Sequence, residues 1–248
     1  MRATRPLFAK GFFGRSLDEL KRRSSIAWNL EGVKGPAGPK PLYGFGDEDA
    51  VRSCVVMCDG LIGGSSQSQL DLVAGAAPHA RFHGRISTAL PADRPATQRS
   101  GYAAFRTPDQ GPTVFGRSVW DVDPYAYLAL RVKSDGRAYM LNLQTEAVDA
   151  ADLHQHRLFA KTPGRWETVL VRWNDFVRTN HGFVVEPQTE LLRQKVRTFG
   201  IGLTDRVEGP FELCIERVWA TNQLADDATV LGPDEGQLRN RKGESIRW

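Results

Sequence analysis

His154 and His156 stand two residues apart, so an extended strand would carry both rings on one face. Two imidazoles at that spacing can bind a metal, but only with a third ligand. His79 and His83 are remote candidates that only folding could bring near. A solvated or hydrogen-bonded pair is the simpler reading. Cys54, Cys58 and Cys214 are an odd set without the close spacing of a disulfide framework. Their apolar neighbours mark them as buried free thiols, and zinc would need two further ligands nearby. Asp135 with Arg137, and Asp205 with Arg206, could form a carboxylate pair with cationic clamps, as glycoside hydrolysis requires. Nothing in their spacing sets two carboxylates across one bond, so turn-capping aspartates and structural ion pairs are expected. Gly60-Leu61-Ile62-Gly63-Gly64 has the outline of a phosphate-cradling loop. It lacks the Lys-Ser/Thr of a P-loop and opens no helix after a buried strand, so a β-turn is expected there. No Ser nucleophile elbow and no Cys–His constellation stands out.

The elements that must hold these groups read as strands. Short runs at 42–45, 54–57, 66–73, 80–86, 101–105, 127–133, 138–144, 154–159, 167–172, 198–203 and 211–219 are separated by Gly, Pro and Asp clusters. That pattern indicates an all-β sandwich or barrel. Alternation is clean at Leu128, Leu130 and Val132, and slips by one position between Ile215 and Val218. The stretch 132–143 reads as two strands joined by Asp135-Gly136, a hairpin signal in which Gly136 takes a positive φ. Trp166 is assigned to the core, whereas Trp173, beside the polar Asn174-Asp175, stays open between a core ring and an exposed one. Residues 191–196 could form one helical turn.

Ser16-Leu17-Asp18-Glu19 fits a capping box, with Ser16 as N-cap of a short helix reaching about Arg23. Residues 32–41 hold three Gly and three Pro and read as a linker. The chain therefore divides into a basic arm and linker (1–41), a β domain (42–222) and a polar tail (223–248). Its 248 residues, 41% apolar and 25% charged, suit one packed domain with extensions. No stretch approaches the roughly 18 consecutive apolar residues of a membrane span. Residues 1–40 hold nine Lys or Arg against three acids, a net of +6, whereas the whole chain is +4; residues 41–248 therefore carry −2. The basic excess belongs to the arm, which argues against a nucleic-acid face on the folded domain. Residues 1–15 contain no acid and are rich in Arg and Phe, the composition of a mitochondrial targeting segment.

One ordered set of short segments spans about residues 42–221. It comprises Tyr43–Phe45, the turn from Asp59 through Gly63 and Gly64 to Ser65, Phe82-His83-Gly84, Arg99-Ser100-Gly101-Tyr102, and Leu130–Asn142 with its Asp135-Gly136-Arg137 turn. It continues through Phe159, Gly164-Arg165-Trp166, Phe176, Phe199-Gly200-Ile201-Gly202-Leu203, Asp205 and Gly209-Pro210-Phe211. Each segment is short, but their common order resembles the complex I intermediate-associated protein 30 family. Two departures are visible: Cys54 stands where that family usually has Trp, and the N-terminal region is shorter.

The resemblance implies a jelly-roll β-sandwich like galactose-binding domains. It implies a non-enzymatic scaffold for assembly of mitochondrial respiratory complex I, in the matrix and peripheral to the inner membrane. Its partners would be complex I membrane-arm subunits and other complex I assembly factors. No cofactor, metal, nucleic acid or obligate small molecule is expected. The same turns, with Trp166 and Phe211, are then structural elements or parts of an interface. Two other readings stay open: a permanent subunit of a mature mitochondrial complex, and a carbohydrate-binding module or glycan-active enzyme on the same scaffold.

Overall fold

The computed structural model describes residues 11–29, 38–224 (without 93, 95, 96, 98, 148 and 150) and 228–230. Two layers form because alternate positions of the strands are apolar and must be covered. One sheet has the order β16 (Ala228–Val230), β11 (Trp166–Arg172), β8 (Tyr127–Ser134), β15 (Gly209–Thr221), β4 (His79–Ile86) and β3 (Gln67–Val73), with β1 (Lys40–Gly44) also on β15. The other has the order β13 (Phe183–Val184), β12 (Val177–Asn180), β10 (Asp152–Arg157), β9 (Tyr139–Thr145), β14 (Val196–Leu203), β5 (Ala103–Arg106) and β2 (Val55–Cys58). A small hairpin of β6 (Pro112–Thr113) and β7 (Gly116–Arg117) stands apart. All pairings in the two large sheets are antiparallel except β16 on β11. The architecture is the jelly-roll β-sandwich expected from the sequence.

The core is built from the inward rows. Leu128, Leu130 and Val132 of β8 face Tyr139, Leu141 and Leu143 of β9, all fully buried. Phe45, Phe105, Phe82 and Phe211 form an aromatic chain with centroid separations of 5.9, 5.0 and 5.0 Å. Each such ring, removed from water, contributes about 1.5–3 kcal/mol. The slip in alternation on β15 is a β-bulge: Ile215 pairs with Val132 and Arg217 with Arg131, leaving Glu216 extra.

Several expectations need correction. Asp135-Gly136 does not make a hairpin, because β8 and β9 belong to opposite sheets and the turn carries the chain from one layer to the other. Ser16 caps no helix. The helix α1 (Phe12–Asn29) begins a turn earlier, and the Ser16 hydroxyl donates back to the Phe12 carbonyl at 2.8 Å while accepting the Val114 N–H at 3.0 Å. The arm is also not isolated: α1 lies on the β6–β7 hairpin, with Arg15 donating to the Pro112 carbonyl. The β pattern starts at Lys40, which pairs with Ala220, and an additional helix α2 (Glu48–Ser53) follows. Part of the expected tail, residues 228–230, forms the edge strand β16. A short helical turn does occur at Arg193–Lys195. Of the targeting reading of residues 1–15, residues 1–10 fall outside the described residues, as do 30–37, 225–227 and 231–248 of the linker and tail.

The core assignment of Trp166 needs correction, and Trp173, left open by the sequence, is the buried ring. Trp173 is 1% exposed, whereas Trp166, first on β11, is half-buried with its ring edge-on to His79 at 4.9 Å. Nor are His154 and His156 solvated: β10 turns both rings inward, and burial drops both to about 4, so they sit neutral.

Candidate functional site: the rim of the sandwich

Two hydrogen-bonded networks stand at one end of the sandwich. The first begins with the layer-crossing turn. Asp135 Oδ1 accepts the Arg137 N–H at 2.9 Å, closing an Asx-turn, and its Oδ2 accepts the Glu212 N–H at 2.8 Å and the Tyr139 hydroxyl at 3.1 Å. Gly136 has φ +90, the left-handed conformation that only glycine adopts freely. Its N–H reaches the Ser134 hydroxyl. Burial and the facing Asp135 carboxylate push the Tyr139 hydroxyl far above its usual range, so it remains a donor.

The turn aims Arg137 along the rim. Its guanidinium donates to Asp205 Oδ2 at 3.0 Å and Oδ1 at 2.6 Å, a bidentate pair. It also donates to the carbonyls of Gly209 at 3.3 Å, Pro210 at 3.0 Å and Val207. The two side chains are only 13% and 10% exposed. Burial alone would raise the Asp205 carboxyl, but the Arg137 hydrogen bonds and the Val207 N–H outweigh it and hold the group below its ordinary value. One arginine thus ties the β8–β9 crossing to the β14–β15 turn and to the start of β15, where Phe211 enters the core.

The second network is centred on Asp59, which is fully buried. Its carboxylate accepts the Ser66 N–H at 2.9 Å, the Ser66 hydroxyl at 2.8 Å and the Gly101 N–H at 2.6 Å. Three donors satisfy a buried charge that would otherwise be costly. The Gly64 N–H donates to the Asp59 carbonyl, and a Cβ on Gly64 would stand 2.2 Å from the Asp59 carboxyl carbon, so only glycine fits. Gly63 ends the short 3-10 turn that begins at Asp59. Ser66 also exchanges hydrogen bonds with the Ser87 backbone. Arg99 leaves this strand approach with its guanidinium 5.6 Å from the Phe183 ring.

Glu208 bridges the networks: its carboxylate accepts the Thr88 N–H at 3.0 Å and hydroxyl at 2.9 Å, beside Gly209. Sequence reasoning missed this link, since nothing in the spacing of Thr88 and Glu208 announces it. The structure brings Asp135, Gly136, Arg137, Asp205, Gly209 and Pro210 into one network and Asp59, Gly63, Gly64 and Gly101 into another. Trp166 and Arg99 are in neither. Around the rim, Leu61, Leu90 and Val207 are exposed by 77, 54 and 58%.

The rim carboxylates are occupied by backbone, hydroxyl and arginine donors. Among the described residues, no group of three His, Cys, Asp or Glu is arranged to hold a metal ion. Cys54 and Cys214 are buried and Cys58 half-buried, all as free thiols, and burial pushes Cys54 up to about 11. A cavity of about 100 Å³ lined by Asn174, Glu190, Leu191 and Arg193 is small beside the roughly 300–1,000 Å³ of sites that enclose a small molecule. On the open face of the second sheet, Gln155, Asn142, Gly200 and Arg106 stand in one row, joined in part by a Gln155–Asn142 hydrogen bond of 2.7 Å. No aromatic ring stands on that face of β9, β10, β14 or β5.

Residues 43–215 match the family described as complex I intermediate-associated protein 30. The mitochondrial protein of that name from Neurospora crassa is 50% identical over 270 aligned residues, covering 100% of this chain and 97% of that one. The mitochondrial protein of that name from Mus musculus is 28% identical over 178 residues, covering 71% of this chain and 54% of that one. Among solved structures, a family 11 carbohydrate-binding module from a cellulosomal cellulase of Clostridium thermocellum superimposes with a TM-score of 0.53 at 12% identity, covering 77% of this chain and 98% of that one. That likeness concerns the sandwich alone.

Proposed function

Because the chain belongs to the complex I intermediate-associated protein 30 family, we propose that it is a non-enzymatic, protein-binding scaffold for assembly of mitochondrial respiratory complex I. The observation that carries the scaffold reading is the rim. Its loops are tied by the Asp59 and Arg137–Asp205 networks, and Leu61 and Val207 stand exposed on them. A rigid frame presenting isolated apolar side chains suits a surface for another protein, since little order is lost on binding. Membrane-arm subunits and other assembly factors are the partners proposed. The site is the matrix, peripheral to the inner membrane. Among the described residues, no helix is long and apolar enough to cross a membrane.

The test is complementation of a strain lacking the protein, followed by native gel separation of its mitochondria. We expect the chain to migrate with partial assemblies of complex I, and Leu61→Asp with Val207→Asp to fold normally yet leave those assemblies stalled. Comigration with the mature enzyme alone would favour a permanent subunit. Full rescue by the double variant would remove the rim as the docking surface.

A further inference from the structure

The outward side of the first sheet gathers four cations on three neighbouring strands. The register sets them side by side. Cys214 of β15 stands between Arg81 of β4 and Lys133 of β8, and in the next row Arg217 of β15 stands directly opposite Arg131 of β8. These positions alternate with the core residues Phe82, Val132, Leu213 and Val218, so the four cations face away from the core. Arg81 and Arg217 have side chains 41% and 62% exposed. Like charges directly across a strand pair destabilise a sheet. The nearest acids relieve this little: Glu212 is 3.9 Å from Arg81, and Glu216, in the bulge, is 3.6 Å from Arg217. The Arg81 Nε is buried and finds no hydrogen-bond partner among the described residues. Two rings frame the cluster. Trp166 pairs with Lys133 at the end of the first row, and the Arg217 guanidinium lies 4.8 Å over the Trp219 ring.

We propose that this face binds a short acidic segment of a partner protein. The surface is distinct from the rim, and the proposal rests on the scaffold reading only in taking the partner to be a protein. A sheet that sets arginines opposite one another gives up stability, and such departures from local rules mark functional positions. Carboxylates placed among Arg81, Lys133, Arg131 and Arg217 turn that repulsion into attraction and offer acceptors to the guanidinium groups. Size and charge select the occupant. Strands stand about 4.8 Å apart and successive outward rows about 7 Å, so the cluster measures roughly 10 by 7 Å, the span of three or four extended residues. Residues 41–248 carry −2, so with these four cations set aside the rest of that body carries −6. A nucleic-acid strand, charged along its whole length, would run off the cluster on to that acidic remainder. A short acidic run with neutral flanks does not. The Trp219 ring steadies the Arg217 guanidinium by a cation–π contact.

The experiment is fluorescence anisotropy of a labelled peptide carrying four consecutive Glu between Gly residues, titrated with the purified full chain at low salt. The same peptide with Gln for Glu is the reference. We expect the Glu peptide to bind at least about tenfold more tightly than the Gln peptide, and salt to weaken it. Lys133→Gln with Arg217→Gln should cut that binding by at least about tenfold, at a melting temperature no lower than the parent's. Should the double variant fail to fold, Lys133→Gln alone is measured, with a loss of about threefold expected. Lys21→Gln with Lys34→Gln removes two charges from the basic arm instead and should change binding by no more than about twofold. Equal binding of the two peptides overturns the proposal. So does undiminished binding by the face variants, or an equal loss in the arm variant, which would reduce the effect to net charge. Oligothymidylate that binds more tightly than the Glu peptide, and is lost in the same face variants, would make this a nucleic-acid surface and the proposal wrong. The assay contains no complex I, so its failure leaves the rim and its native-gel test untouched, and failure on native gels leaves this result standing.

Discussion

The Arg137 guanidinium grips both oxygens of Asp205, 68 residues away in sequence, and the pair is nearly closed to solvent. Through it, the crossing between the two sheets is fastened to the turn that starts β15. Removing one member of such a pair leaves the other charge buried and unpaired, which typically costs about 3–5 kcal/mol. Arg137→Met should therefore destabilise the protein by roughly 3 kcal/mol in chemical denaturation. Arg137→Lys should recover part of this, since an ammonium cannot span both oxygens. A midpoint unmoved in Arg137→Met would show that the pair is ornamental.

Gly136 and Gly64 should both resist side chains, for different reasons. Gly136→Val forces a β-branched residue to φ +90, with Pro163 only 3.2 Å from the new Cβ, and should cost roughly 1–3 kcal/mol. At Gly64 the objection is space: even Ala would drive its Cβ into the Asp59 carboxylate and break the three-donor cradle. We expect Gly64→Ala to lower the melting temperature clearly. Gly44→Ala, with nothing near its Cβ, serves as the control. Equal melting of the two variants would refute the cradle argument.

Acid should act first through the two core histidines. Each is held near 4 by burial, against about 6.5 in an unfolded chain. The unfolded state therefore binds more protons between those values, and the stabilisation present above pH ~6.5 is lost as pH falls towards 4, on the order of 3 kcal/mol per ring. Below that range the carboxylates take over, because Asp205 and Glu19 are held below their ordinary values in the fold. His156→Leu should flatten the decline between pH 6.5 and 4. A variant whose stability falls as steeply as the parent's would contradict this.

The arm should be separable only at the right place. A chain beginning at Gly38 keeps the pairing of Lys40 with Ala220 and Pro41 with Trp219, whereas one beginning at Leu42 loses it and the Lys40–Asp121 hydrogen bond. We expect the first to fold and the second to melt at a lower temperature. If the Gly38 form fails to fold, α1 is part of the domain rather than an appendage.

Much of this protein was legible in the sequence, because alternation is a local property: Leu128, Leu130 and Val132 declare a strand with one buried side wherever it is placed. The same holds for the turn chemistry of Asp135-Gly136, where an Asx-turn and a positive φ depend on adjacent residues alone. Family membership was legible too, since the order of short segments survives in one dimension. What the sequence could not decide is which strands share a sheet. Asp135-Gly136 looks like a hairpin, but its strands part into opposite layers, because pairing is settled by partners far along the chain. The depths of Trp166 and Trp173 were undecidable for the same reason: they depend on what crosses above them. The Arg137–Asp205 grip, the Glu208–Thr88 bridge and the seating of α1 on the β6–β7 hairpin likewise exist only after folding. Only then do residues 68, 120 and 98 positions apart come within hydrogen-bonding distance.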